Sequence, residues 1–212
     1  LLFLINLALD TYSEVLGKDF YLLLFNSLLL AFATAILALL IALFMAYSNR
    51  NSASSINRFM VRFVSMGYAI PGTVIAVGVL IPFAWFDNTL DAFLTEYFNI
   101  NSGLLISGTV VILIFAYLTR FLAVSINTVE AGLIKIKPSM DEVAKTIGMS
   151  PISIIKRIHM PMMRGSLLTA LLLVFIDVLK ELPVTLILRP FNFNTLAVRT
   201  YELANEERLA DA

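Results

Sequence analysis

Three ionisable side chains crowd into one of the oiliest stretches of this sequence: Asp177, Lys180 and Glu181 within "VFIDVLKELPVTLIL". Spaced i, i+3 and i+4, they can share one face of a helix. Charge at membrane depth is costly and normally faces a partner or a water-filled cavity. Two chemistries fit. Lys180 pairs internally with the two acids, or the face lines a pathway for polar cargo or its gate. In the second case Pro183 leaves the Leu179 carbonyl free for water or substrate. A second group, Tyr201 with Glu202, Glu206 and Glu207, offers oxygen ligands. Charges on an exposed helix are usually a solvated face, and no metal site follows from their spacing.

Other chemistries are excluded by what the chain lacks. It has no cysteine, hence no disulfide, thiolate metal site or cysteine nucleophile. It has one histidine, His159, too few for a His-rich metal cluster. No His or Cys stands inside an oily run, so no catalytic pair is expected at membrane depth. No G-x-x-x-x-G-K-[ST] loop is present, so any ATP and Mg must be bound by another subunit. The formal net charge of zero gives no case for nucleic acid.

Residues 139–161, "SMDEVAKTIGMSPISIIKRIHMP", form a charged island between oily stretches. Ser139 and Glu142 have capping-box spacing, which predicts a helix beginning there. Met140, Val143, Ala144 and Ile147 make one apolar stripe at helical spacing. Gly148 follows where a left-handed glycine would stop the helix. Ser150 and Pro151 restart it, as cap and first helical residue, and "ISIIKRIH" runs to a stop at Pro161. A helix of about seven residues is not stable alone in water. It needs a surface, either that of its own bundle or that of a partner.

The elements that must position these residues are spans. Of 212 residues, 59% are hydrophobic and 14% charged, which places the chain in the membrane class. Charge-free runs at 20–49, 63–86 (holding Pro71 and Gly72) and 97–119 are each long enough to cross, about 20 residues sufficing. A fourth span is expected over roughly 166–188. The loop after the first span holds Arg50, Arg58 and Arg62; the next, "DNTLDAFLTE", is acidic. The connection from 120 to 164 is again basic. Positive loops face the cytoplasm, so the island is expected there and segment 189–212 outside, with Asn194 capping a helix from near Thr195. Residue 1 is Leu, and residues 1–212 are expected to be a single transmembrane domain truncated at both ends, with the opening "LLFLINLAL" the tail of a removed helix.

The island resembles the cytoplasmic signature of inner-membrane permease subunits of ATP-binding-cassette importers: E-A-A, three residues, G, nine residues, I, one residue, L-P. Glu142, Val143 and Ala144 stand for the triplet, Gly148 for the glycine, Ile158 for the isoleucine, and Met160 and Pro161 for the last pair. Val143 for Ala and Met160 for Leu are the departures. "NSLLLAFATAILALL" and "GYAIPGTVIAVGVLIP" are similar to core spans of that family. The resemblance implies an all-α, multi-span bundle of the type I importer kind, in a bacterial inner membrane, with a cytoplasmic coupling helix between spans. The implied partners are an ATPase subunit, an extracytoplasmic substrate-binding protein, a second permease half or subunit, and membrane lipid. The candidate pathway residues stay those given by membrane-level charge and the proline break: Asp177, Lys180, Glu181 and Pro183. The stretch from "DVLKELP" through "LRPF" is most similar to ferric-iron importer permeases. Thiamine, polyamine and sulfate permeases share the island and are less similar there. A secondary transporter is the remaining alternative, and it would leave the island unexplained.

Overall fold

A computed structural model describes residues 18–51 and 55–207, and the stretch "LLFLINLAL" lies outside them. Every regular element among the described residues is helical. In order these are α1 (Lys18–Asn51), α2 (Ser55–Ser65), a 3-10 turn (Gly67–Ala69), α3 (Gly72–Phe98), α4 (Val110–Leu133), α5 (Pro138–Thr146), α6 (Pro151–Met162), α7 (Arg164–Leu179), α8 (Pro183–Leu188) and α9 (Leu196–Asn205). α1, α3 and α4 are long and apolar enough to cross a membrane, and α6 with α7 passes the same test as a pair bent by 85°. The chain is thus an all-α, multi-span protein.

Two expected boundaries move. The acidic stretch "DNTLDAFLTE" is not a loop but the C-terminal part of α3. No breaker interrupts it before Asn99, which takes a left-handed φ of 56°. Pro82 lies inside α3 and does not end it. The third span accordingly starts at Val110 instead of residue 97. The intervening "NINSGLLISG" is free of charge, which made it read as oily, but Gly103 and Gly108 both take positive φ, which a continuous helix does not hold.

The residues form two compact units. One comprises the described residues up to Phe32, Gly72–Ala116 and those from Val178 on; the other comprises Ala33–Pro71 and Tyr117–Asp177. In the first, α8 packs on α3, and the rings of Phe83 and Phe115 meet edge to face at 5.1 Å. Ser27 on α1 accepts the Leu196 N–H at 2.8 Å, and Asn26 donates to the Asn194 carbonyl at 3.2 Å, so the start of α9 is held to the start of α1. In the second, Ala35, Ala38, Ala42 and Ala46 put small side chains along one face of α1, all buried. Bulky Ile36, Leu40 and Phe44 point outward, as a lipid-facing helix surface requires. Tyr117, Ile126 and Val129 of α4 are buried here. Gly67 meets α4 so closely that a Cβ there would lie 2.1 Å from the Thr119 carbonyl oxygen, a space only glycine fits.

Candidate functional site

Segment 139–161 lies wholly in the second unit. Its first helix starts two residues earlier than the capping box implies. Lys137 is the N-cap, with no side-chain cap bond, and Pro138 takes the first helical position. Proline has the helical φ built in and lacks an N–H that would go unsatisfied there, so it sets the start and moves Ser139 into the first turn. The box between Ser139 and Glu142 therefore does not form. The C-terminus behaves as expected. Gly148 has φ +79°, its N–H donates to the Lys145 carbonyl, and the Met149 N–H donates to the Ala144 carbonyl. This pair of bonds is the Schellman closure. Ser150 then caps α6 by accepting the Ser153 N–H at 3.3 Å, with Pro151 following it.

α6 does not stop at Pro161. It widens into a π turn over Ile155–His159 and continues to Met162, and the chain bends sharply at Met163. Pro161 cannot donate to the Arg157 carbonyl, and in a regular helix its ring would strike that carbonyl. The wider turn relieves the clash. It also carries His159 into the interior, where it is fully buried.

The apolar stripe divides in two. Ala144 is buried, whereas Val143 is 61% and Ile147 71% exposed, with Met140 also exposed. Glu142 stands exposed beside Val143. Ser139, Met140, Val143, Ala144, Ile147, Met149 and Ile158 line an open groove of about 320 Å³. The described residues of the unit do not cover this ridge.

The inward face of α5 is held by charge, which the sequence reading missed. Asp141 accepts from Arg50 Nε at 2.7 Å and from His159 Nε2 at 2.7 Å. Arg50 also donates to the carbonyls of Leu133 and Ile136, at 2.5 and 2.8 Å. Neighbours in the tail "SNRN" join in: Asn49 donates to Glu130 Oε1 at 2.9 Å, and Asn51 accepts from Lys145. Partial burial would raise the Asp141 pKa, but the bonds from His159 and Arg50 and their positive charge outweigh it and hold the carboxyl below its usual value. One signal could have found this. Asp141 lies three residues before Ala144, on the face that packs inward.

The membrane-level charges do not share a helix face. α7 ends at Leu179, and Lys180 and Glu181 stand in the break before α8. The N-cap of α8, Leu182, has no acceptor side chain, and Glu181 Oε1 instead takes the Val184 N–H at 3.3 Å. The Thr185 hydroxyl donates to the Glu181 carbonyl at 2.6 Å. Glu181 is buried, Asp177 half-buried, and Lys180 and Pro183 exposed. Lys180, Glu181 and Pro183 gather in one turn of the first unit; Asp177 ends the second.

In segment 189–207 the cap of α9 is Thr195, which accepts the Val198 N–H at 3.4 Å, and not Asn194. Asn194 is engaged by Arg189 instead. Glu202 is paired with Arg189 at 3.0 Å and lies 3.6 Å from Arg199. Among the described residues no three of His, Asp and Glu gather as a metal site.

Residues 38–202 match a family described as "Binding-protein-dependent transport system inner membrane component". The chain is 24% identical over 187 residues to the Fe(3+)-transport system permease protein FbpB 2 of Haemophilus influenzae, covering 88% of this chain and 34% of that protein. It is 23% identical over 185 residues to the putative 2-aminoethylphosphonate transport system permease protein PhnV of Salmonella typhimurium, covering 87% of this chain and 64% of that protein. The chain thus spans about a third of the first relative's length and under two thirds of the second's.

Proposed function

As the chain belongs to the family of binding-protein-dependent transport system inner membrane components, a multi-pass inner-membrane protein, we propose that it is the permease part of an ATP-binding-cassette importer whose 139–161 segment docks on a separate ATPase subunit. The observation that carries this reading is the exposed ridge of Val143 and Ile147 beside Glu142 on a helix otherwise fixed at both ends. A short helix with its apolar ridge in water is unfavourable unless something covers it. The ATPase, with ATP and Mg, covers the ridge and drives the cycle. Glu142, Val143, Ala144, Gly148, Ile158 and Pro161 form the coupling segment, on the cytoplasmic side with the basic connections. A substrate-binding protein delivers cargo from outside, and a second permease half completes the pathway.

The pathway reading rests on Lys180 and Glu181 at the break before Pro183, with Asp177 one turn earlier. Unwound backbone at membrane depth is tolerated where it lines a cavity. Ferric iron is the proposed cargo, supported by the relative named for Fe(3+) and by the "KELP" and "LRPF" stretches. The relative named for 2-aminoethylphosphonate supports a second reading, an organophosphonate cargo.

The test is affinity purification of the full-length protein from membranes, followed by parallel uptake assays with radiolabelled ferric iron and 2-aminoethylphosphonate. An ATPase subunit copurifying with the wild type, and lost on Val143→Asp with Ile147→Asp, is the expected result. Full ATPase retention by that double variant overturns the docking site. Uptake of the phosphonate without iron overturns the iron reading and leaves the permease reading standing.

A further inference from the structure

Asp141 does not belong to the exposed ridge, and through its side chain three elements of the second unit meet. It receives Arg50 from the end of α1 and His159 from the π turn of α6, and it sits on α5 itself. We propose that Asp141 is a positioning residue for coupling, clamped by Arg50 and His159 so that α5 and the π turn move as one piece. This inference rests on the permease reading above.

The geometry supplies the reasons. A carboxylate can only accept, so His159 Nε2 carries the hydrogen that points at Asp141. Bonds with a charged partner are stronger and more directional than neutral ones. The arginine fork spends its other donors on the Leu133 and Ile136 carbonyls, which fixes the end of α4 and the chain leading into α5. His159 Nδ1 is buried with no partner among the described residues, so the Asp141 bond is what orients the ring, with the Tyr47 ring 5.5 Å away. Beyond α5 the Schellman turn at Gly148 closes the other end. A push on Val143 or Ile147 is therefore carried to His159, and past Pro161 toward α7, without first bending a slack joint. With the clamp open, α5 keeps its ridge and still docks, but its displacement is taken up at the π turn.

The experiment compares the full transporter with Asp141→Asn, Asp141→Glu, His159→Leu and His159→Gln variants, measuring ATPase copurification and cargo taken up per ATP hydrolysed. Asp141→Asn and His159→Leu should keep the ATPase bound while uptake per ATP falls about tenfold, the scale of losing one bond to a charged group. Asp141→Glu and His159→Gln, which keep an acceptor and a donor, should recover a substantial part of it. An unchanged ratio in Asp141→Asn and His159→Leu overturns the inference. So does a proportional loss of inserted protein, bound ATPase and uptake with the ratio constant, because that is what a purely structural role gives. If the wild type itself retains no ATPase, the permease reading fails first, and the two failures are told apart.

Discussion

Asp87 in one unit and Asp141 in the other are both carboxylates drawn into their surroundings, and they do opposite work. Asp87 is completely buried and accepts from backbone, the N–H groups of Ile106 at 3.1 Å and Ser107 at 2.6 Å. Asp91, one turn on, takes the N–H groups of Ser102 and Gly103, each at 2.8 Å. Together they hold the "NINSGLLISG" connection onto the end of α3. Asp141 accepts from side chains, Arg50 and His159, on separate elements. Backbone bonds within one connection freeze it in place; side-chain bonds between elements join them while leaving each able to move with the other. A closed loop and a transmitting joint thus use the same functional group with different donors.

The largest effect expected is at the joint's far end. Gly148 has φ +79°, a region that costs an ordinary L-residue about 1–2 kcal/mol and a β-branched one more. Gly148→Val should open the Schellman turn, and uptake should fall by about tenfold or more while the protein still inserts. Gly148→Asn, tolerant of the left-handed region, should keep most of the activity. Equal uptake by wild type and Gly148→Val would remove the rigid-joint half of the comparison.

At the closed loop the effect is on stability. Asp87→Ala leaves two backbone N–H groups without an acceptor, that of Ser107 buried and that of Ile106 partly so, at about 1–3 kcal/mol for the buried one. Thermal unfolding in detergent should show a clear loss for Asp87→Ala and a smaller one for Asp91→Ala, whose site is only half-buried. The same loop also reports topology. A cysteine at Asn101, which is exposed, should react with an impermeant label from outside, and one at exposed Thr146 only after the membrane is opened. Reactivity in the reverse order would invert the orientation.

Acid should erase the difference in stability between the wild type and Asp141→Asn. The Asp141 carboxyl is held below the ordinary value of about 3.9, so its contribution is present above that pH and is lost as pH falls through the still lower folded value. The gap in melting temperature between the two proteins should hold steady from about pH 7 to 5 and close below about pH 4. A gap that is the same at all pH values would mean that Asp141 acts by shape and not by charge.

The sequence made some of this legible because the relevant signals are local. Gly148 after an amphipathic turn, and Ser150 followed by Pro151, specify their own geometry, and both appear as expected. The first three spans likewise follow runs of apolar residues, α1 most closely, whereas the fourth, expected over 166–188, is broken after Leu179. Failures came where local signals compete or where a partner is distant in sequence. Ser139 was a good cap, but Pro138 was a better helix start. "NINSGLLISG" lacked charge, yet its glycines decided its form. Asp177, Lys180 and Glu181 had helical spacing, but Pro183 begins a new helix, and the break falls between the first and the other two. The clamp was invisible for a different reason. Arg50 and Asp141 are 91 positions apart, and no periodicity links them.

The smallest prediction tests whether a cap's worth follows its geometry or its residue type. Ser139 and Thr195 are both hydroxyl residues next to helix starts. Only Thr195 occupies the N-cap, with extended backbone (φ −112°, ψ 164°) and its oxygen on the Val198 N–H. It is also buried, so water cannot replace it. Thr195→Ala should therefore cost about 1 kcal/mol of stability, within the 0.5–2 kcal/mol range of such caps. Ser139→Ala should cost nothing measurable, because its position lies inside the first turn of α5, it is exposed, and Lys137 already holds the N-cap. Paired melting curves in detergent decide it. A loss in Ser139→Ala equal to that in Thr195→Ala would restore the capping box and shift the start of α5 by two residues. Asp141 would then sit earlier on the helix, and the clamp geometry would have to be redrawn around it.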